Sequence, residues 1–410
     1  MNRVIVIGGG PAGMMAAGTA ASFGCSVILI EKNRILGKKL LITGKGRCNV
    51  TNFCDVENVL KNVNSSNPKF LYSSLYEFSC YDTYSFFEQK GVQLKIERGN
   101  RVFPSSDKAV DVRNALIDYL KDNKVEVVNE TVRNIDFKDF KVITDFSNYK
   151  ADKIIIATGG LSYSSTGSTG DGYKFAKKAG HTVTPLNPAL VALKGDTEVC
   201  CSLTGLSLKN VSIEILDSSQ KSIYSDFGEM LFTHTGVSGP IILSASSKLD
   251  FNRNKYTLLI DFKPALSHEQ LDARIIKDFE KYSNKDFINS LSDLLPKKLI
   301  PIIVNKSGID SHKKVNNITR ECRKNLVNLI KNFKIDLFGK EGYDQAIITS
   351  GGISTLQVNP KTMESLTVKG LYFAGEVLDV DANTGGYNLQ IAFSTGFLAG
   401  KSCNGGKNGN

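Results

Sequence analysis

The chain opens with a strand pattern, a glycine-rich turn and a helix pattern. "RVIVIG" at residues 3–8 is a short β-branched run, which is typical of a parallel strand buried on both faces. The turn "GGGPAG" follows, and then the small-residue stretch "MMAAGTAASFG", which predicts a helix ending at Gly24. "SVILIE" at residues 26–31 is the next β-branched run. Together they predict one β–α–β unit.

The α/β pattern continues to about residue 180. Helical periodicity predicts helices over residues 69–91 and 109–123, and short strands at "VEVV", "TVRNIDF" and "KVIT". "DKIIIATGG" predicts a buried strand that ends in paired glycines. The polar loop "STGSTGDGYKFAKKAG" leads into a further helix, for which Asp171 is the predicted N-cap.

The pattern changes near Pro188. "LKNVSIEIL", "GEMLFTH" and "KYTLLIDF" are short strands separated by turn residues, and residues 267–333 are helical and basic. The α/β pattern returns at "QAIITSGG", followed by the strand "LYFAGE" and the helix "GGYNLQIAFSTGFLAG". These patterns predict a nucleotide-binding domain split by an insertion at about 190–345. The tail "CNGGKNGN" is typical of disorder.

Composition places the chain among ordinary water-soluble proteins. Of 410 residues, 41% are hydrophobic and 22% are charged, and no apolar run approaches the roughly 20 residues that span a bilayer. The N-terminus has no charged-then-apolar leader, so we expect a cytoplasmic protein without membrane attachment. The eight cysteines include no Cys-x-x-Cys pair, and with only four histidines no zinc spacing exists.

The net charge of +10 is unevenly placed. Residues 263–340 contain 16 lysines and arginines against nine acidic residues, which is +7 of that total. Two interpretations stay open at this point. The region is a lysine-rich solvated surface, or it is a patch that faces a polyanion.

The motif Gly8-x-Gly10-x-x-Gly13 lies in the context that dinucleotide binding requires. It follows a β-branched strand and opens a helix, and Glu31 ends the next strand 23 residues after Gly8. Gly10 lets the backbone approach a pyrophosphate, and the helix N-terminus supplies N–H groups and positive charge. Glu31 can accept hydrogen bonds from both ribose hydroxyls and would repel a 2′-phosphate, which disfavours NADP here.

The later glycine-ended strands favour FAD over NAD. "IIIATGG" ends in Thr158 and Gly159, and "YFAGE" ends in Gly375 and Glu376. Two such strands returning to the same sheet suit a longer ligand, because FAD adds a ribityl chain and an isoalloxazine ring.

Several segments carry a resemblance to a known family. "VIVIGGGPAGMMAA", "GKKLLITGKGRCNVTN", "RVFPSSDKA", "YSSTGSTGDGY", "GEMLFTHTGVSGP" and "LYFAGEVLDVDANTGGYNLQIAFSTG" resemble the BaiN/YhiN-like (aminoacetone-oxidase-like) flavoproteins of the glutathione-reductase-like superfamily. The resemblance covers nearly the whole chain. It implies bound FAD and oxidoreductase activity. Substrates assigned within the family include a bile-acid enone, aminoacetone and a ribosomal RNA uridine.

The resemblance also implies a fold and a division of the chain. The fold is α/β, a three-layer Rossmann-like FAD-binding domain interrupted by a β-barrel-like domain and a helical cap. The implied parts are 1–189 and 334–410 for the FAD-binding domain, the latter beginning with a return to the β insert, 190–265 for the β-rich insert and 266–333 for the basic cap.

Residue roles are carried over from the same resemblance. Ala12 and Gly13 would face the pyrophosphate, Val132 would meet the adenine through its backbone, and Asn388 and Leu389 would lie at the flavin pyrimidine edge. A helix starting near Gly386 would aim its N–H groups at the flavin N1/O2 edge, where reduced flavin carries negative charge. The full set of predicted cofactor contacts, with no metal ligand, is Gly8, Gly10, Ala12, Gly13, Glu31, Lys32, Arg47, Asn49, Val132, Thr158, Gly159, Gly375, Glu376, Asp379, Gly386, Asn388 and Leu389.

The stretch "TGKGRCNVTN" at residues 43–52 is neither a phosphate loop nor a redox disulfide. No glycine sits five positions before Gly44, as a P-loop requires. Cys48 and Cys54 are separated by five residues where disulfide reductases use four, and no histidine follows position 312 to serve as their base. We predict a loop packed on the flavin, with Arg47 and Asn49 as donors. Cys48 is either a packing thiol or the catalytic proton donor to a C=C bond.

Two weaker candidates complete the set. His234 in "FTHTG" is more typical of a turn than of a catalytic base, and Tyr163 either faces the flavin or packs.

We therefore expect an FAD-dependent oxidoreductase that transfers hydride through flavin N5, reducing a C=C bond or oxidising a small amine. NAD(P)H, docking transiently, is the expected electron donor. The alternatives are a reductase of a ribosomal RNA uridine, with rRNA bound through the basic cap, and a flavin-binding sensor without enzymatic activity.

Overall fold

A computed structural model gives the structure, and it describes residues 1–404. The chain forms two compact units. The first unit comprises Met1–Ala189 and the chain from Tyr343 onward, and the second comprises Leu190–Gly342. The predicted disorder of the tail falls largely outside the described residues.

The secondary structure follows in chain order. The strands are β1 (Arg3–Ile7), β2 (Ser26–Ile30), β3 (Thr51–Asn52), β4 (Leu94–Glu97), β5 (Arg101–Pro104), β6 (Glu126–Val128), β7 (Val132–Asp136), β8 (Lys141–Thr144), β9 (Asn148–Lys150), β10 (Lys153–Ile156), β11 (Asn187–Ala189), β12 (Leu193–Gly195), β13 (Ser207–Asp217), β14 (Ser222–Phe232), β15 (Gly236–Ser238), β16 (Tyr256–Asp261), β17 (Phe333–Lys340), β18 (Ile348–Ser350) and β19 (Leu371–Phe373). The helices are α1 (Pro11–Ser22), α2 (Val56–Lys61), α3 (Tyr72–Glu77), α4 (Cys80–Gln89), α5 (Ala109–Asp122), α6 (Asp171–Lys178), α7 (Thr197–Ser202), α8 (Pro240–Ser246), α9 (His268–Lys281), α10 (Phe287–Ser290), α11 (Ile300–Ser307), α12 (Arg320–Lys331) and α13 (Tyr387–Ser402).

A five-stranded parallel sheet forms the core of the first unit, in the order β19-β10-β1-β2-β6. Its central strands are buried on both faces, which is why they read as continuous β-branched runs; Val4, Ile5 and Val6 are fully buried. Burial of each such side chain contributes about 1.5–3 kcal/mol. The chain leaves β1 toward β2 on one side and returns to β10 on the other, so the strand order switches beside β1.

Helices α1 and α13 pack closely against each other in the first unit. A Cβ at Gly396 would lie 2.4 Å from the carbonyl oxygen of Ala12, and a Cβ at Gly400 would lie 2.4 Å from that of Ala16. Only glycine allows this backbone approach, so the small residues of both helices set the distance between them.

The first unit also contains two small antiparallel sheets, β3-β5-β4 and β7-β8-β9, and the pair β11-β18. The helical pattern at 69–91 proves to be two helices, because the capping box of Ser79 and Asp82 starts α4 directly after α3. Asp171 is the first residue of α6 and not its N-cap; Gly170, at φ 77°, takes that position. The predicted α13 is confirmed.

The second unit is built on a closed antiparallel barrel of six strands, in the order β12-β15-β14-β13-β16-β17. Inward side chains of the barrel share one hydrophobic core with helices α8, α9, α11 and α12. The predicted fold class, an α/β Rossmann-like fold with a barrel-like insertion, is confirmed. Within residues 1–404, every helix is too short or too polar to span a bilayer.

Candidate functional site

The glycine motif builds a tight turn between β1 and α1. Gly8 has φ 106°, and a Cβ there would lie 2.5 Å from the carbonyl oxygen of Ala157, just after β10. A Cβ at Gly13 would lie 1.8 Å from the carbonyl oxygen of Gly8. A Cβ at Gly10, in contrast, would point into open space. Gly8 and Gly13 therefore serve packing, while Gly10 forms the open side of a cradle.

The N-terminus of α1 opens beside this cradle. Gly10 is the N-cap and Pro11 takes the first helical position, where its lack of an N–H costs nothing. The first intrahelical bond runs from the Met14 N–H to the Gly10 carbonyl, at 2.9 Å. The N–H groups of Ala12 and Gly13 precede it and are free for an anion, which the helix dipole also favours.

Glu31 lies at the carboxyl end of β2, next to the glycine turn. Its Oε2 accepts a hydrogen bond from the Gly9 N–H at 2.6 Å, and its Oε1 accepts from the backbone and side chain of Asn33 at 2.8 and 2.7 Å. These bonds fix the carboxylate beside the cradle. Lys32 points elsewhere, because its Nζ donates to Asp171 at 2.8 Å.

The loop at residues 43–49 has an unusual backbone. Lys45 and Cys48 have φ 59° and φ 60°, in the left-handed region that costs energy for residues other than glycine. The Asn49 Oδ1 atom is buried and has no hydrogen-bond partner in the described chain. Such an orphaned acceptor inside a strained loop is the kind of group that a bound ligand satisfies.

The Arg47 and Cys48 side chains are both held by their surroundings within the protein. The Arg47 guanidinium pairs with Glu97 and with Asp107, to which its Nε donates at 2.8 Å, and it lies 4.1 Å from the Phe103 ring centroid. The expected flavin donor is thus bound within the protein, and its hydrogen bond lowers the pKa of Glu97. The Cys48 side chain is fully buried, and burial raises its pKa to about 12. This position favours the packing thiol over the proton donor.

Glu376 is the centre of a network that the sequence did not reveal. Its carboxylate accepts hydrogen bonds from the Lys39 Nζ at 2.8 Å, the Ser162 hydroxyl at 3.0 Å and the Thr349 N–H at 2.9 Å. Lys39 lies in the segment "GKKLL", whose two lysines have no distinguishing local pattern, so only the fold identifies the relevant one.

The carboxyl ends of β10 and β19 adjoin this network. A Cβ at Gly160 would lie 2.9 Å from the Glu376 Oε1. The Thr158 Oγ1 is buried with no partner among residues 1–404. Gly375 has φ 77°, and a Cβ there would lie 2.7 Å from the Cβ of Ala12, so β19 ends against the start of α1.

The N-terminus of α13 is the second helix start in this region. Gly386 is the N-cap at φ 100°, and a Cβ there would lie 2.3 Å from the backbone of Thr51. The Asn388 side chain bonds both the N–H and the carbonyl of Ala382, at 2.9 and 2.8 Å, which fixes the loop before the helix. Because the first intrahelical bond comes from the Gln390 N–H, the N–H groups of residues 387–389, including Leu389, are free for a ligand.

The remaining candidates lie apart from these helix starts. Burial raises the pKa of Asp379, which is half-buried. Val132 is buried at the start of β7. The Tyr163 N–H bonds the Tyr343 carbonyl at 3.0 Å. His234 is exposed in a turn, as its sequence context indicated.

The geometry fits a long, anionic dinucleotide such as FAD. The parallel strands bring the ends of β1, β10 and β19 to one edge of the sheet, at the switch in strand order where ligands bind in such folds. The N-terminus of α1, the open cradle at Gly10 and the orphaned Thr158 hydroxyl lie there. In the described part of the chain, no group of three or more His, Cys, Asp or Glu side chains is arranged to hold a metal ion.

Comparisons with known proteins identify the family of the chain. Residues 2–402 match the family described as HI0933-like protein Rossmann domain. The 3-dehydro-bile acid delta(4,6)-reductase of Clostridium scindens is 32% identical over 410 residues, covering 98% of this chain and 99% of that protein. A ribosomal RNA dihydrouridine synthase of Haemophilus influenzae is 32% identical over 406 residues, covering 97% of each protein.

Among solved structures, 3-ketosteroid delta1-dehydrogenase from Sterolibacterium denitrificans has a TM-score of 0.52 at 12% identity, covering 98% of this chain and 100% of that chain. This is a likeness of fold. The whole-length matches confirm the resemblance drawn from the motifs. The chain therefore belongs to the HI0933-like Rossmann domain family, and it is an FAD-dependent oxidoreductase.

Proposed function

We propose that this protein reduces a C=C bond conjugated to a carbonyl group in a small apolar molecule. The proposal rests on the names of whole-length relatives, a 3-dehydro-bile acid delta(4,6)-reductase and ribosomal RNA dihydrouridine synthases. Both names describe hydrogen addition to a C=C bond that a carbonyl activates, in an enone or in uracil. This shared chemistry favours C=C reduction over the oxidation of a small amine.

The residues of the first unit would divide the binding of FAD among them. The N–H groups of Ala12 and Gly13 would bind the pyrophosphate, and Glu31 would accept from the ribose hydroxyls. The free N–H groups at the start of α13 would face the pyrimidine edge, where their dipole stabilises negative charge. When bound, FAD supplies hydride transfer to and from N5.

NAD(P)H is the proposed electron donor, docking transiently. The sequence contains a single Gly-x-Gly-x-x-Gly after a strand, so a second nucleotide domain is not expected. We also propose a cytoplasmic location, which suits a chain whose eight cysteines are all free in the structure.

A uridine in ribosomal RNA is the second candidate substrate, and the second unit supplies the observation that favours it. Asp286 pairs with Lys314 and Asp272 pairs with Arg323, which neutralises two of the basic residues. Lys313 and Arg320, in contrast, have no acidic partner within the described residues. The same unit has a cleft of about 590 Å³, which is lined by Lys285, Ile288, Asn289, Ser292, Lys297, Ile300 and Pro301.

The test is the reoxidation of the protein-bound flavin. The purified protein would be reduced anaerobically and mixed, in a stopped-flow instrument, with a 4,6-dien-3-one steroid, the matching saturated ketone or a ribosomal RNA fragment. We expect rapid return of the oxidised flavin spectrum with the dienone and none with the saturated ketone. Reoxidation by RNA alone would favour the second candidate, and reoxidation by neither would refute both.

A further inference from the structure

The segment 39–52 is attached at both of its ends to parts of the proposed flavin site. At its start, the Lys39 Nζ donates a hydrogen bond to the Glu376 carboxylate at 2.8 Å, just after β19. At its end, the side-chain amide of Asn52 donates to the Gly385 carbonyl at 3.1 Å, directly before the N-cap of α13. The loop between these attachments therefore runs from the end of β19 to the start of α13.

The tip of this loop has three successive residues in the left-handed region. Gly44, Lys45 and Gly46 have φ values of 56°, 59° and 86°. Glycine adopts this conformation without strain, whereas it costs energy for a lysine. Two glycines already provide the turn, so the backbone gives no reason for a lysine between them. What distinguishes this position is the side chain that it presents.

Hydrogen bonds on both sides of the tip fix the loop. The Cys48 N–H donates to the Thr43 carbonyl at 3.1 Å, and the Thr43 hydroxyl donates to the Leu40 carbonyl at 2.7 Å. The Arg47 guanidinium is paired with the Glu97 carboxylate. The tip is therefore presented from a fixed base, and little backbone order is lost when a ligand binds to it.

The charge of Lys45 is not neutralised by an acidic side chain within residues 1–404. Its side chain is exposed and forms no salt bridge or hydrogen bond there. The other cation of the loop, Arg47, is paired with Glu97 and Asp107. Ile42, in the same loop, is 44% exposed and offers an apolar surface. An unpaired cation and an exposed apolar side chain in one loop suit a ligand that carries an anionic group on an apolar body.

We propose that Lys45 is a specificity residue, which binds an anionic oxygen group of the substrate, a carboxylate or a phosphate. The ammonium would donate charge-assisted hydrogen bonds to that group. This inference rests on the proposed function, because the site of hydride transfer defines where the substrate lies. Lys45 would contribute to substrate binding and not to hydride transfer itself.

The first experiment detects the contact by protection of lysines from acylation. The FAD-loaded protein would be treated with an N-hydroxysuccinimide ester, with and without a 4,6-dien-3-one steroid that carries a carboxylate, and the modified lysines would be mapped by mass spectrometry. At a steroid concentration of about ten times its Kd, acylation of Lys45 should slow about tenfold. Lys138, exposed between β7 and β8, should be acylated at an unchanged rate.

Variants then separate the charge from the shape of the loop. Lys45→Gly suits the left-handed backbone, so it should fold at least as stably as the wild type and keep its FAD. In stopped-flow reoxidation of the reduced flavin, its apparent Kd for the carboxylate steroid should rise about tenfold at an unchanged limiting rate. Its Kd for the uncharged methyl ester should not change. Lys45→Arg should restore binding of the carboxylate, and the control Lys138→Gln should behave as the wild type.

The outcomes distinguish this inference from the proposed function. Reoxidation by both steroids without protection of Lys45, or with equal effects of Lys45→Gly on carboxylate and ester, would overturn the inference alone. Reoxidation by a ribosomal RNA fragment only, with protection of Lys45 by that fragment, would identify the anionic group as a phosphate. Absence of reoxidation by either steroid and by RNA would refute the proposed function and this inference with it.

Discussion

At the scale of single residues, the glycines of one motif have different tasks. Gly13 has no room for a side chain, since a Cβ would lie 1.8 Å from the Gly8 carbonyl oxygen, whereas Gly10 has room that the protein leaves open. The motif is conventionally read as a single binding signal. Here its third glycine maintains the fold, and its second leaves space for the ligand.

This difference predicts opposite outcomes for two substitutions. Gly10→Val should fold with near wild-type stability but purify without FAD, because the side chain would fill the space the pyrophosphate needs. Gly13→Val should lose about 1–3 kcal/mol or more of folding stability, because the backbone must move. Urea unfolding in the absence of FAD, together with the flavin absorbance of each preparation, distinguishes them. Equal stability losses in both variants would contradict this assignment.

A second residue-scale prediction concerns Lys39 and its neighbour Lys38. Lys39→Met should cost about 1–3 kcal/mol of folding stability, because it leaves the carboxylate of Glu376 without its cationic partner in a half-buried site. Lys38 is exposed and, within residues 1–404, donates only to the Ser165 carbonyl, so Lys38→Met should change stability by less than about 0.5 kcal/mol. Denaturant unfolding at a fixed FAD concentration provides the comparison, and matching effects of the two variants would count against the network.

At the scale of secondary structure, sequence periodicity predicted those helices and strands that the local residue pattern determines. The β–α–β unit, β10, β19 and α13 were all visible as β-branched or small-residue runs. Contacts between residues that are distant in the sequence were not visible in it. Lys39 meets Glu376 across 337 positions and Arg47 meets Glu97 across 50, so no local pattern could indicate either pair. The boundary between α3 and α4 was readable in principle, since Ser79 and Asp82 form a capping box, but the apolar periodicity on both sides obscured it.

The packing of α1 on α13 carries the element-scale prediction. Gly396→Val should separate the helices, because its Cβ would lie 2.4 Å from the Ala12 carbonyl oxygen. Since Ala12 also begins the proposed pyrophosphate site, the variant should lose both thermal stability and FAD. Lys401→Ala, on the same helix, removes an exposed ion pair to Glu77 and should retain both. Full flavin content in a destabilised Gly396→Val protein would separate packing from binding and disprove the coupling.

At the scale of the whole molecule, the question is what the concentrated positive charge does. The structure reduces the number of basic side chains that are free to contact a polyanion. Arg323 is only 17% exposed and is bonded to Asp272, so it links α12 to α9. Lys314 is likewise paired with Asp286. Lys285, Lys297, Lys313 and Arg320 are among the basic side chains of this region that form no salt bridge with an acidic group within residues 1–404.

These four side chains make the RNA hypothesis testable by salt dependence. If they contact phosphates, replacing all four with glutamine should weaken binding of a ribosomal RNA fragment and reduce the slope of log K against log salt by up to about 3, since each phosphate contact contributes roughly 0.7 for single-stranded RNA. The control replaces Lys314 with glutamine and Asp286 with asparagine, which preserves the net charge and should leave the slope unchanged. FAD content should stay constant in both, because the substitutions lie in the second unit. Binding that is undetectable at low salt, or insensitive to salt, would assign the charge to a solvated surface and leave the small-molecule enone as the substrate class.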